Sequence, residues 1–236
     1  MKNESQTFRL RSFVRRDSRI TAAQARAYEE LWPQFGQQID QGLIDYDMEF
    51  GRKAARFLEI GFGSGHSLLA LAKSQPECDF IGVETHKPGI GALLLGMEAQ
   101  AITNLRIYHG DVIDVLTNCI PMVSLDGIQI FFPDPWQKRR HHLRRLIQPD
   151  FVSLLVERIK VGASLHLATD WEDYARHMMQ VVSSEKKLLN LAGEGQYGGR
   201  SAYRPIITKF ERRAVQAGRA IWELQLAKKG LEFRDC

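Results

Sequence analysis

Phe57-Leu58-Glu59-Ile60-Gly61-Phe62-Gly63-Ser64-Gly65 is an apolar run that breaks into a three-glycine loop. Residues 55–60 predict a buried strand and residues 65–73 a helix, and the same alternation repeats downstream. Phe80 to Glu84 predicts a second strand. Pro88 suits the first turn of a helix running to about residue 102. Leu105 to Tyr108 predicts a third strand, Ile128 to Phe132 a fourth and Ser164 to Ala168 a fifth. Phe151, Leu154, Leu155 and Ile159 mark one intervening helix. Trp171, Tyr174, Ala175, Met178, Met179 and Val182 stripe another, with Thr169 and Glu172 spaced for a capping box. Repeated β-α alternation implies a doubly wound parallel sheet. Residues 193–204 predict a loop, and Ala220 to Leu226 a terminal strand at a mixed sheet edge. Upstream, residues 1–20 form a polar, Arg-rich arm, and residues 21–35 a helix capped by Thr21 and ended by Pro33 and Gly36. The expected division is therefore 1–50, arm and helix, and 51–236, one α/β domain.

The 236 residues suffice for one large domain with a full core. Apolar residues make up 44% and charged residues 25%, as in ordinary soluble proteins. Net charge is only +4, so its placement matters more than its size. Lys138, Arg139, Arg140, Arg144 and Arg145 fall within eight residues that hold no acid. Arg9, Arg11, Arg15, Arg16 and Arg19 form a second cluster, and Arg200 to Lys229 a basic tail. Such clusters fit a polyanionic partner. Cys78, Cys119 and Cys236 are scattered and form no C-x-x-C pair, which argues against a disulfide framework or a zinc site and suits a reducing cytoplasm. No metal is expected. No stretch approaches the ~20 apolar residues of a membrane span, and no apolar signal core opens the chain.

In a doubly wound sheet, ligands bind outside the carboxyl ends of the strands. Gly61, Gly63 and Gly65 lie there and permit close backbone approach. Their G-x-G-x-G spacing differs from the G-x-G-x-x-G of dinucleotide sites, which disfavours a nicotinamide oxidoreductase. Glu59 would repel a phosphate but suits an ammonium or sulfonium group. Glu84 ends the second strand, where a carboxylate accepts ribose hydroxyls. Asp111 ends the third, where it would accept an adenine amine or cap the next helix. This pattern resembles the class I S-adenosylmethionine-dependent methyltransferases. The resemblance implies a Rossmann-like, doubly wound, mostly parallel seven-stranded sheet with an antiparallel edge strand, and S-adenosyl-L-methionine as cofactor.

After the fourth strand comes Pro133-Asp134-Pro135-Trp136-Gln137-Lys138-Arg139-Arg140-His141-His142. Two prolines stiffen the backbone around Asp134, and Trp136 offers a face for base stacking. With Phe132, this stretch is similar to the signature of bacterial tRNA (guanine-N7-)-methyltransferases. Arg11 to Arg16 with Thr21 and Gln24, Glu84-Thr85-His86, Thr169-Asp170-Trp171 and Thr208-Lys209-Phe210-Glu211 resemble further elements of that family. Two departures stand out. Gln137 replaces a common second proline, and Ile206-Ile207 separates Pro205 from Thr208 where one residue is expected. The resemblance implies that Glu59, Gly61, Gly63, Glu84, Asp111 and Asp134 contact the cofactor, and that Asp134 also serves the reaction centre. It implies that Lys138, Asp170, Thr208, Lys209, Phe210 and Glu211 hold the substrate. Arg139, Arg140, Arg144 and Arg145 would grip the tRNA backbone. The expected acceptor is the guanosine at position 46 in the tRNA variable loop. The enzyme would be a cytoplasmic monomer or homodimer, without an obligate protein partner.

Guanine N7 carries an in-plane lone pair and no proton. Methyl transfer to it needs positioning and charge stabilisation rather than a general base, so His141 and His142 suit phosphate contacts or an exposed loop better than acid–base chemistry. The rival enzyme reading, methylation of another RNA or of an exocyclic amine, is disfavoured by the Asp between the prolines. A binding-only module is disfavoured by the intact acids at 59, 84, 111 and 134.

Overall fold

The computed structural model describes residues 19–201 and 204–230. The Arg9 to Arg16 cluster lies outside the described residues. Helix α1 (Ala22–Phe35) opens on a reciprocal capping box. Gln24 N–H donates to Thr21 Oγ1 at 3.2 Å, and Thr21 N–H donates to the Gln24 side chain at 3.0 Å. Pro33 sits inside this helix, so Gly36 alone ends it. A two-residue strand β1 (Gly36–Gln37), a 3-10 turn (Ile39–Gln41) and the short α2 (Tyr46–Phe50) follow.

The alternating region then runs β2 (Arg56–Ile60), α3 (His66–Ser74), β3 (Asp79–Glu84), α4 (Lys87–Gln100), β4 (Leu105–His109), α5 (Val112–Asn118), β5 (Leu125–Phe131), α6 (Pro149–Arg158), β6 (Ile159–Thr169) and α7 (Glu172–Ser184). The chain closes with β7 (Leu188–Asn190), α8 (Lys209–Gln216) and β8 (Trp222–Lys228). The sheet order is β1-β4-β3-β2-β5-β6-β8-β7. Strands β1 to β6 pair in parallel, and β8 is antiparallel to both β6 and β7.

Among the described residues the sheet thus has eight strands, not seven. Strands β1 and β7 have two and three residues, too few to show a period-two pattern. The terminal strand starts at Trp222 and lies one place in from the edge, which β7 forms. The fourth strand stops at Phe131, because Phe132 takes φ +52° and cannot continue extended pairing. The expected Thr169–Glu172 capping box is absent. Thr169 is still in β6, and its hydroxyl accepts from Trp171 N–H at 3.3 Å, short of the helix that begins at Glu172.

Alternation along the strands sends side chains to two cores, one on each face. Phe57, Phe80, Leu105 and Ile107 pack with Ala27, Leu68, Leu93 and Met97 from α1, α3 and α4. Leu58, Ile60, Ile81, Ile128 and Leu165 pack with Leu116, Phe151, Leu155, Tyr174 and Met178 from α5, α6 and α7. The chain passes from β2 outward to β3 and β4, then returns to place β5 on the other side of β2. The topological switch point is therefore between β2 and β5, where ligands of such sheets bind. The glycine loop follows β2 and the Asp134 turn follows β5, so both open onto that crevice.

Candidate active site

Glu59 lies on β2, paired with β3 on one side and β5 on the other. It is buried, and its Oε2 has no hydrogen-bond partner among the described residues. Burial, reinforced by the nearby Glu84 carboxylate, pushes its pKa up to about 8. A buried acid with an unmatched oxygen at a strand end is a ready partner for a cation.

Immediately beyond it, Gly61 and Gly63 adopt φ of +72° and +60°, a region glycine enters without strain. A β-carbon at either position would meet nothing within 4 Å, so the loop borders open space on the ligand side. On its other side it is packed hard: a β-carbon at Gly89 in α4 would stand 2.1 Å from the Gly63 carbonyl oxygen. Glu84 fixes the loop from the neighbouring strand. Its Oε2 accepts from Gly63 N–H at 2.8 Å, and its Oε1 accepts from Thr85 and His86 N–H at 2.7 and 3.0 Å. Asp111 caps α5, accepting from Ile113 N–H at 2.9 Å. Glu59, Glu84 and Asp111 thus lie at the ends of three adjacent strands, and the last two also hold backbone N–H groups.

Across the switch point, the Pro133–Trp136 turn is bracketed by two non-glycine residues at positive φ, Phe132 at +52° and Trp136 at +45°. Such positions cost about 1–3 kcal/mol each and persist only when their surroundings fix them. Asp134 is partly buried, and Oδ1 accepts from Trp136 N–H at 3.2 Å. Among the described residues it carries no ion pair. Asp170, just past the adjacent strand β6, does: Arg219 Nε donates to its Oδ2 at 2.9 Å. The α8–β8 connection was read from sequence only as basic, so Arg219 was missed. Its arrival depends on how α8 folds back.

The basic strip divides in two. Lys138, Arg139 and Arg140 are exposed along a 3-10 turn, Arg139–Arg144. Arg144 lies 5.0 Å over the Trp136 ring, so that indole face is partly occupied by a cation. His141 is shifted below the ordinary histidine value by desolvation and then by Arg140, Arg144 and Lys138. Arg145 departs from the expected phosphate contact. Only 3% exposed, it turns inward, donating to the Pro135 carbonyl and to Asp173 and lying 4.9 Å over the Tyr174 ring. Its guanidinium in turn holds Asp173 below the usual carboxylate range.

The T-K-F-E segment also differs from expectation. Thr208 caps α8, accepting from Glu211 N–H at 3.2 Å, and Lys209 and Phe210 form its first turn. Glu211 is buried in ion pairs with Arg200 and Arg204. Arg204 also pairs with Glu223, which bonds His166 at 2.8 Å. The Arg204 guanidinium lies 5.1 Å over the Phe132 ring, directly before the Asp134 turn. Glu211 therefore braces the Asp134 turn through Arg204, and Thr208 caps the helix that carries Glu211.

Comparison with known proteins agrees with this geometry. A family model described as "Putative methyltransferase" matches residues 53–224. Solved structures give the fold. The 16S rRNA methyltransferase KamB superposes with a TM-score of 0.57 at 15% identity, covering 79% of this chain and 95% of that one. A 30S ribosomal A1408 methyltransferase from an uncultured bacterium gives 0.52 at 13% identity, covering 78% and 94%. Curated sequences are much nearer. The tRNA (guanine-N(7)-)-methyltransferase of Idiomarina loihiensis is 51% identical over 92% of this chain and 88% of its own length. That of Ectopseudomonas mendocina is 48% identical over 93% and 92%. At this identity and coverage, the chain belongs to the tRNA (guanine-N(7)-)-methyltransferase family.

Proposed function

We propose that this protein methylates N7 of a guanosine in tRNA, at position 46 of the variable loop, with S-adenosyl-L-methionine as donor. The observation that carries the reading is the pairing, across one switch point, of a cation-seeking buried Glu59 with an Asp134 that has no ion pair among the described residues and sits on a strained turn.

The residues present fit the cofactor. Glu59 would take its α-ammonium group, a donor able to satisfy the orphaned Oε2. Gly61 and Gly63 would leave room for its chain. Glu84, already oriented by three backbone N–H groups, would accept ribose hydroxyls, and Asp111 would face the adenine. When bound, S-adenosylmethionine supplies a methyl group activated by its sulfonium sulfur.

The protein's own work is positioning and electrostatics. Guanine N7 becomes part of a cationic ring when methylated, and Asp134, which has no ion pair among the described residues, would stabilise that charge. Asp170, held by Arg219, would accept guanine N1–H and N2–H and so select guanine over adenine. Lys138, Arg139 and Arg140 point to solvent beside this turn and would grip phosphates. Thr208 to Glu211 would act on the substrate by shaping the wall behind Phe132, with Lys209 and Phe210 at the helix start.

The test is incubation of purified protein with labelled S-adenosylmethionine and unmodified tRNA, followed by nucleoside analysis. Label in 7-methylguanosine is expected. Label in another nucleoside would move the acceptor assignment, and none, despite cofactor binding, would overturn it.

A further inference from the structure

The nine residues Trp136 to Arg144 leave the sheet as a basic loop, and one side chain closes its base. Arg145 Nε donates to the Pro135 carbonyl at 3.0 Å, joining the loop's exit to its entry. The same guanidinium donates through Nη2 to Asp173 Oδ2 at 2.5 Å and faces His142 Nε2 at 3.0 Å. Its plane covers the Tyr174 ring, whose hydroxyl accepts from Ile147 N–H at 3.1 Å. Pro135 is the residue after Asp134. Asp173 is in the first turn of α7, three residues after Asp170. One buried planar cation therefore touches both segments that present a carboxylate to the substrate.

Nothing in the reaction uses this cation directly, and at 3% exposure it cannot meet a phosphate. What it can do follows from guanidinium geometry: a rigid fork bonds two acceptors at fixed separation and angle, which an ammonium on a flexible stem does not. The turn it holds needs such a brace, because both Phe132 and Trp136 sit at positive φ.

We propose that Arg145 is a positioning residue that locks the Asp134 turn to the helix following Asp170, so that the two substrate-side carboxylates keep one separation. The inference rests on the functional reading above. It predicts that loosening the brace lowers turnover without weakening tRNA capture, because the exposed Lys138, Arg139 and Arg140 remain in place.

The experiment compares wild type, Arg145→Lys, Asp173→Ala and Asp173→Glu by kcat, KM for tRNA and cofactor affinity. Arg145→Lys keeps the charge but loses the fork, and kcat should fall about 10- to 100-fold, the range expected for a misplacement of order 1 Å. Asp173 is half-exposed, with a side chain 51% accessible, so its replacement removes no apolar packing and leaves Arg145 its bond to the Pro135 carbonyl. Asp173→Ala should lower kcat severalfold and Asp173→Glu should recover part of that loss, while KM for tRNA and cofactor affinity stay near wild type. Unchanged kcat in both folded Arg145→Lys and Asp173→Ala, or a loss confined to KM, would overturn the proposal. If Arg145→Lys does not fold, the Asp173 pair decides alone. Failure of the wild type to form 7-methylguanosine would instead overturn the functional reading, and this proposal with it.

Discussion

Replacing Glu59 by Gln changes two measurable quantities in opposite directions, and both follow from one buried carboxyl group. In the unfolded chain a glutamate titrates near 4.5, whereas in the folded protein burial and Glu84 hold Glu59 protonated to about 8. Between these values the native state binds more protons than the unfolded state, so stability falls as pH rises. The cost is small at pH 5, accumulates with each pH unit, and levels off above pH 8. Integrated from pH 5 to pH 8, it amounts to about 3–4 kcal/mol. Glu59→Gln removes the titration but not the buried polar group, so the variant should lack this slope. Urea unfolding of both proteins across that range reads the difference directly, and other titrating groups cancel in the comparison. A bound α-ammonium reverses the logic, because it favours the ionised carboxylate. Cofactor binding below pH 8 should therefore release about one proton and tighten with rising pH. Calorimetric titration in two buffers of different ionisation heat counts that proton, and Glu59→Gln should abolish it while weakening affinity. Parallel stability profiles for the two proteins, together with pH-independent cofactor affinity, would refute the assignment of Glu59 as the ammonium's partner.

Other residues give equally direct outcomes. Asp134→Asn keeps the acceptor for Trp136 N–H but removes the charge, and kcat should fall by about 100-fold as for loss of one electrostatic stabiliser; full turnover with unchanged substrate affinity would rule out its role. Arg139→Ala combined with Arg140→Ala should weaken tRNA binding and flatten the log K against log salt slope by roughly 1.4–1.8, two phosphates' worth. Cofactor affinity, measured in parallel, should not move, and equal loss of both would separate these arginines from the RNA. Glu211→Gln breaks a buried ion network around Arg204 and should cost about 3–5 kcal/mol in urea unfolding. Wild-type stability with a raised KM for tRNA would mean that Glu211 faces the substrate after all.

The central sheet was legible because its strands are buried on both faces and separated by amphipathic helices, a pattern in which apolar runs and glycine breaks locate each element. The positions of Glu59, Glu84, Asp111 and Asp134 could be read for the same reason: each lies near or just beyond the end of a strand. What escaped was decided by contacts distant in sequence. Strands β1 and β7 exist only because a neighbour supplies hydrogen bonds, to β4 and β8. Arg145 is indistinguishable from its basic neighbours until Asp173, 28 residues away, turns it inward. Glu211 and Thr208 belong to a family signature, but a signature gives no direction to a side chain. Only the fold shows that Arg204 claims Glu211 and that the hydroxyl of Thr208 caps a helix.

Sequence alone could not divide the work between the two carboxylates proposed to face the substrate, and their ion pairs support one division. Asp170 is matched by Arg219, so its charge is balanced before any substrate arrives. A balanced carboxylate gains little from a developing cation but still offers lone pairs to guanine N–H groups, a task of recognition. Asp134 has only a neutral backbone donor among the described residues, so its charge stays available. Attraction between that charge and the ring grows as N7 acquires the methyl group, which makes it stronger in the transition state than in the ground state. Under the proposed function, selection would therefore fall to Asp170 and rate to Asp134. That division would also give the braces around Phe132, Pro135 and Trp136 their purpose, since an electrostatic stabiliser acts only from a fixed place.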